Sequence, residues 1–334
     1  MSILSKTWRQ VWLTHPNLEF EVCYHKGNMK IVDNIMERYR DGKIPIERFE
    51  LLDPGSSQSF PSIDKWLDIA LHNGVKHLVF KISIFSLYPL PIFKILAAKS
   101  LRELVLFGCN LKYASFSSGV ASCESLRKLS LSSVGLDENM LQALLNRCSL
   151  IVNFVIMDCY GLKKIEVVNL QKIKSVYIRT SHQLVKIKAP TLEHLCFRST
   201  SEESGELDVI DAPNLVSLEY AASQIHQLQI AKGSSQLKHS QVILHCLDNL
   251  NAEWFCKLRK FLSNSNCWPQ VFLYFQKCNG IKRKDLQLHH TFTTPQVDAL
   301  EFFQSFFSLR TLIPSNEPIA KTIPSELPDV ESDM

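Results

Sequence analysis

No apolar run in this chain reaches the roughly 18 residues that a membrane-spanning helix needs. It also has no C-x-x-C pair, P-loop, G-x-G-x-x-G, H-E-x-x-H or G-x-S-x-G element. These absences argue against a membrane span, a zinc site built on paired cysteines, a nucleotide cradle and the common hydrolase centres. A large excess of one charge sign is missing as well. Against 37 Lys and Arg stand 33 Asp and Glu, a net charge of +4, too small to imply nucleic acid or a membrane surface as partner. The opening MSILSKTWRQVW breaks its apolar residues with Lys6 and Arg9, so it reads as neither a secretory signal nor an anchor. What remains is a chain of 334 residues, 46% hydrophobic and 21% charged. That is the composition of an ordinary folded protein, long enough for one elongated solenoid or two globular domains.

A repeat organises it. Residues 101–111, LRELVLFGCNL, fit L-x-x-L-x-L-x-x-N/C-x-L at every specified position. The next unit is Leu126, Leu129, Leu131, Val134 and Leu136; the third is Ile151, Phe154, Ile156 and Cys159, with Leu162 one residue late. The register extends upstream to Leu78 and Phe80 and downstream to Val176/Ile178, Leu195/Phe197 and Leu218/Tyr220, with anchors 26, 25, 25, 22, 19 and 23 residues apart. One such unit cannot bury its own apolar face, so units must stack. The pattern predicts an α/β leucine-rich repeat solenoid, a curved parallel sheet with one strand per repeat. Between strands, Asp137 is placed to cap a helix carrying Met140, Leu141, Leu144, Leu145 and Cys148.

Side chains alternate across a strand, so the leucines point into the core and the residues between them line the concave face. That face is expected to carry Val79, Val105, Phe107, Val155, Met157 and Tyr177, flanked by Arg179 and Arg198. An apolar open face of this kind marks a partner site or a surface covered by the chain's own C-terminal segment.

The ten cysteines follow the repeat and no metal-ligand spacing: Cys109, Val134 and Cys159 share one register, Cys123 and Cys148 another. They are expected as buried free thiols in a reducing, intracellular compartment, cytoplasm or nucleus. His289-His290, after Lys282-Arg283-Lys284, reads as a solvated loop without further ligands at metal spacing. The stripe Lys163, Lys164, Lys172, Lys174, Arg179, Lys186 and Lys188 reads as solvated repeat edges, the alternative being a surface for an acidic partner or a phosphate-bearing ligand. No residues present themselves as a converging nucleophile, base and orienting group. The chain therefore reads as a non-enzyme, without cofactor or metal.

At the N-terminus, Leu4, Trp8, Val11 and Trp12 are spaced as on one helix that ends at His15-Pro16. Further on, Ile31, Val32, Ile35, Met36 and Tyr39 predict a helix over 28–40, Ile46–Leu52 a strand, and Ser62 the cap of a helix with Ile63, Trp66, Leu67 and Ala70. Asn251 is placed to cap a helix with Trp254, Phe255, Leu258, Phe261 and Leu262, and Val271–Phe275 reads as a buried strand. The expected organisation is 1–20 N-terminal helical segment, 21–74 connecting helices and strand, 75–245 repeats, 246–312 α/β C-terminal cap, and 313–334 a proline-rich, acidic, disordered tail.

Ser5-Lys6, Trp8-Arg9, Trp12, Pro16-Asn17-Leu18 and Phe20 resemble the closing third of the F-box in plant F-box proteins with leucine-rich repeats. IDKWLDIALHNGVKHLVF at 63–80, and the helix at Trp254–Leu262, resemble the same family. The resemblance implies the substrate-recognition subunit of a cullin–RING (SCF-type) ubiquitin ligase, with a protein client on the repeats and ubiquitination carried out by partner subunits. Trp8, Arg9 and Trp12 would be what remains of the surface that grips the ligase adaptor. In that family two preceding helices supply most of this surface, so the sequence as written is expected to bind the adaptor weakly or not at all. The alternative is a scaffold or decoy uncoupled from the ligase.

Overall fold

The computed structural model describes residues 11, 13–22, 29–53, 59–83, 88–111, 123–181, 183–199, 206–222, 229–230, 239–246 and 270–275. Most of the expected 246–312 module, the 313–334 tail, Asn251 and His289-His290 lie outside them.

Eleven parallel strands form one sheet. In spatial order they are β1 (Asn17–Glu21), β2 (Arg48–Asp53), β3 (His77–Ile82), β4 (Glu103–Phe107), β5 (Lys128–Ser132), β6 (Asn153–Met157), β8 (Ser175–Thr180), β10 (His194–Ser199), β12 (Ser217–Ala222), β14 (His239–Cys246) and β15 (Gln270–Phe275). The anchors pair in an unbroken row, Leu78 with Leu104, Leu129, Phe154, Val176, Leu195 and Leu218 in turn. All seven are buried. The chain is the leucine-rich repeat solenoid its spacing predicts. The same row continues upstream through Phe49 and Leu18, two rungs before the leucine pattern starts.

What backs the sheet changes along the stack, and repeat length explains the change. Leu18 to Phe49 and Phe49 to Leu78 span 31 and 29 residues, enough for the 13-residue helices α1 (Met29–Asp41) and α2 (Phe60–His72). The rungs of 25–26 residues hold shorter helices, α3 (Ile92–Leu96) and α4 (Glu138–Arg147). Beyond Phe154 the spacing falls to 22 and then 19 residues. There the return limb is a strand, which covers about 3.3 Å per residue against 1.5 Å for a helix. These limbs, β7 (Lys164–Val168), β9 (Leu184–Lys188), β11 (Glu206–Asp211) and β13 (Gln229–Ile230), make a second parallel sheet in the order β13-β11-β9-β7. Ile165, Val167, Val185, Ile187, Leu207 and Ile210 from it are buried in the same core as the repeat leucines.

Local chemistry sets the ends of the helices. Asp137 caps α4, its carboxylate accepting from the Met140 amide at 2.7 Å. Ser62, expected to cap α2, lies inside that helix, which begins at Phe60 with Pro61 in its first turn. Proline in the first turn lacks a donor that would have no helical partner anyway, so the helix starts earlier than a serine cap suggests. The residue before it, Ser59, instead donates its hydroxyl to Asp53 at 2.6 Å. The Trp66 indole N–H donates to Asp33 at 2.7 Å and locks α2 to α1. After each of β4, β5 and β6 the chain turns through a left-handed residue, Gly108 (φ 74°), Ser133 (φ 51°) and Asp158 (φ 49°). The amide of each donates to the next rung, to Ser132, Met157 and Arg179 respectively.

Candidate functional site

The residues between the anchors form three parallel rows on the concave face. The first runs Arg48, His77, Glu103, Lys128, Asn153, Ser175, His194; the second Glu50, Val79, Val105, Ser130, Val155, Tyr177, Cys196, Glu219; the third Leu52, Lys81, Phe107, Ser132, Met157, Arg179, Arg198. The sheet thus puts Val105, Phe107, Val155, Met157 and Tyr177 on one surface over four adjacent strands. Phe107 is the most open of them, 43% exposed. Val79 lies in the same row but is only 3% exposed, so its neighbours close it off from a partner.

Charged side chains surround this strip, and they pair with one another across the rungs. Glu50 sits between Arg48 and Lys81. Glu103 accepts from Lys128 at 2.7 Å and lies 3.0 Å from the His77 ring nitrogen. Burial would raise the carboxyl pKa of Glu50 and Glu103, but hydrogen bonds from Lys81 and Arg48 to Glu50, and from Lys128 and His77 to Glu103, outweigh it and hold both below the usual carboxylate range. At the other end Arg179 pairs with Asp158, and Arg198 donates from Nε to Glu219 at 3.0 Å. Arg198 also lies over the Tyr177 ring, 6.0 Å from its centroid. Burial raises the Tyr177 phenol above its ordinary value. Both arginines that flank the strip are therefore engaged within the chain.

The lysine stripe divides among surfaces. Arg179 is on the concave face, whereas Lys164, Lys186 and Lys188 are on the second sheet, with Lys164 paired to Glu166 at 2.7 Å. Lys174 pairs with Glu193 at 3.0 Å. Trp8, Arg9 and Trp12 lie outside the described residues. Cys109, Cys123, Cys148, Cys159 and Cys196 are free thiols. Burial pushes Cys109 and Cys159 up to about 12, as suits structural turn residues. Among the described residues no three His, Cys, Asp or Glu side chains are grouped to hold a metal, and no helix is long and apolar enough to cross a membrane.

Sequence reasoning found the apolar row but missed what surrounds it. The partners Asp158 and Glu219 and the depth of the β5 serines carry no signal of their own, and although the strand expected at Ile46–Leu52 is β2, nothing in its spacing marks it as a rung of the repeat sheet. Each matters only through the neighbour that register gives it.

The family model described as FBD-associated F-box protein At5g56370, LRR repeats, matches residues 63–246, more than half of the chain. The chain belongs to this plant F-box/leucine-rich-repeat family. The chain is distantly similar to several proteins of Arabidopsis thaliana. F-box/LRR-repeat protein At3g03360 is 27% identical over 177 residues, 51% of this chain and 35% of that protein. F-box/FBD/LRR-repeat protein At1g13570 is 35% identical over 88 residues, 24% of this chain and 21% of that protein. F-box/LRR-repeat protein 25 is 26% identical over 208 residues, 60% of this chain and 76% of that protein. The chain spans well under half the length of the first two. No solved structure matches the chain significantly. The family match covers β3 through β14, the same rungs that carry the apolar strip.

Proposed function

We propose that this F-box/leucine-rich-repeat protein is a non-catalytic recognition subunit of an SCF-type ubiquitin ligase, binding a protein client on its concave face. The observation that carries the reading is the strip Val105, Phe107, Val155, Met157 and Tyr177, apolar side chains held on the open side of a sheet whose core is already filled. Exposed apolar surface of this kind is removed from water by a partner. Aromatic side chains there are the usual energetic centres of an interface. The client would be a protein rather than nucleic acid or a membrane, a reading supported by the pairing of each Lys and Arg beside the strip with a carboxylate of the chain. Coupling to the ligase would run through Trp8, Arg9 and Trp12 to the adaptor, weakly where these residues act alone, and partner subunits would carry the chemistry in the cytoplasm or nucleus.

Titrating the purified chain with the ligase adaptor tests the coupling. Saturable binding that Trp8→Ala and Trp12→Ala weaken supports a ligase subunit. Client capture without any adaptor binding would make the chain a scaffold uncoupled from ubiquitination.

A further inference from the structure

The concave strip is not level. Ser130 and Ser132 of β5 stand in register between Val105 and Phe107 of β4 on one side and Val155 and Met157 of β6 on the other. Both serines are only 8% exposed although they occupy the open side of the sheet, while Phe107 beside them is 43% exposed. Small side chains flanked by large ones make a trough with a hydroxyl floor and apolar walls. The wall strands lie two strand spacings apart, roughly 9–10 Å between backbones, which limits any occupant to one side chain. Among the described residues neither serine hydroxyl has a hydrogen-bond partner and neither is sealed from solvent, so the floor offers polar groups inside an apolar slot.

The rim narrows the occupant further. Glu103 is held by Lys128 and His77, Arg179 by Asp158, and Arg198 by Glu219. A charged client residue would have to break one of these pairs and leave its partner uncompensated. Neutral groups meet no such penalty. A purely aliphatic side chain would fill the walls but leave the hydroxyls covered and unbonded, which is costly. An aromatic ring with a polar tip satisfies both walls and floor.

We propose that the β5 trough seats one aromatic side chain with a polar tip, the chemistry of tyrosine, from a client segment without net charge. This rests on the reading of the concave face as the client site. The probes are N-acetyl-tyrosinamide and N-acetyl-phenylalaninamide, added to the full chain and followed by amide chemical shifts. The tyrosine amide should perturb Phe107, Ser130, Ser132 and Met157 and bind about three- to tenfold more tightly than the phenylalanine amide, the difference one hydrogen bond makes. In the variant with both Ser130→Ala and Ser132→Ala the two probes should bind alike, and Ser132→Leu should exclude both. Salt should change none of these affinities. Equal binding of the two probes to the wild type, or shifts confined to other rungs, would overturn the proposal. That outcome, with client capture still sensitive to Phe107→Ala, would overturn the trough alone. Seating of the tyrosine probe with client capture insensitive to Phe107→Ala would instead overturn the concave-face reading.

Discussion

Arg198 lies over the ring of Tyr177, its guanidinium carbon 6.0 Å from the ring centroid, while the same guanidinium pairs with Glu219 on the next rung. Three strands thus hold Tyr177 in place before any partner arrives. A pre-ordered aromatic loses little freedom on binding, so this residue is a natural anchor. Tyr177→Ala should weaken client binding by on the order of 1–3 kcal/mol. Its cost to folding should stay near the roughly 0.5–1 kcal/mol of an exposed cation–π contact. Binding titration alongside a thermal melt separates the two effects.

Neighbouring residues of β5 make a sharp stability test. Leu129 is buried in the anchor row and Ser130 is on the opposite side of the same strand. Leu129→Ala should cost about 2–5 kcal/mol. Ser130→Ala, which removes no core packing, should shift stability by no more than about 0.5 kcal/mol. Denaturant melts of the two variants decide whether the register is correct.

Glu103 makes stability depend on pH. Its folded-state pKa lies below the ordinary value because Lys128 and His77 stabilise the carboxylate more than burial destabilises it. A depressed carboxyl contributes stability that is fully present above its unfolded pKa of about 4.3 and is lost as pH falls through the lower folded value. Glu103→Gln should therefore lower the melting temperature at neutral pH, and the gap from wild type should close as pH drops below about 4. A gap that stays constant with pH would mean the ion pairs add nothing.

Gly108, Ser133 and Asp158 occupy one turn position in successive repeats with positive φ. The left-handed region disfavours a side chain by about 1–2 kcal/mol, partly offset by the greater entropy glycine loses on folding. Ser133→Gly should accordingly stabilise the fold by about 0.5–1 kcal/mol, and Gly108→Ala should destabilise it by about as much. Asp158→Gly should not share the gain, because Asp158 also holds Arg179.

The core of this fold is legible because a buried leucine every repeat is a strong periodic signal, and the row from Leu78 to Leu218 is read directly from spacing. The first two rungs are not legible in the same way. Leu18 and Phe49 head repeats lengthened by 13-residue helices, and the leucine pattern is absent there. The return strands β7 and β9 alternate as KIEVV and LVKIK, yet their lysines read more readily as a basic stripe than as the outer side of a second sheet. For the site, alternation places Phe107, Val155, Met157 and Tyr177 correctly on the open face. It does not show that Val79 is covered, that Ser130 and Ser132 are recessed, or that Arg179 and Arg198 are already paired. Those properties belong to contacts between rungs.

The most direct test of the central claim compares the proteins captured by the wild-type chain with those captured by the double variant Phe107→Ala and Tyr177→Ala, both shown by thermal melting to be folded. If the concave strip is the recognition surface, the double variant melts within a few degrees of wild type and loses the specific partners that wild type retains. An unchanged set of partners on a folded double variant would contradict the account and place recognition elsewhere on the molecule.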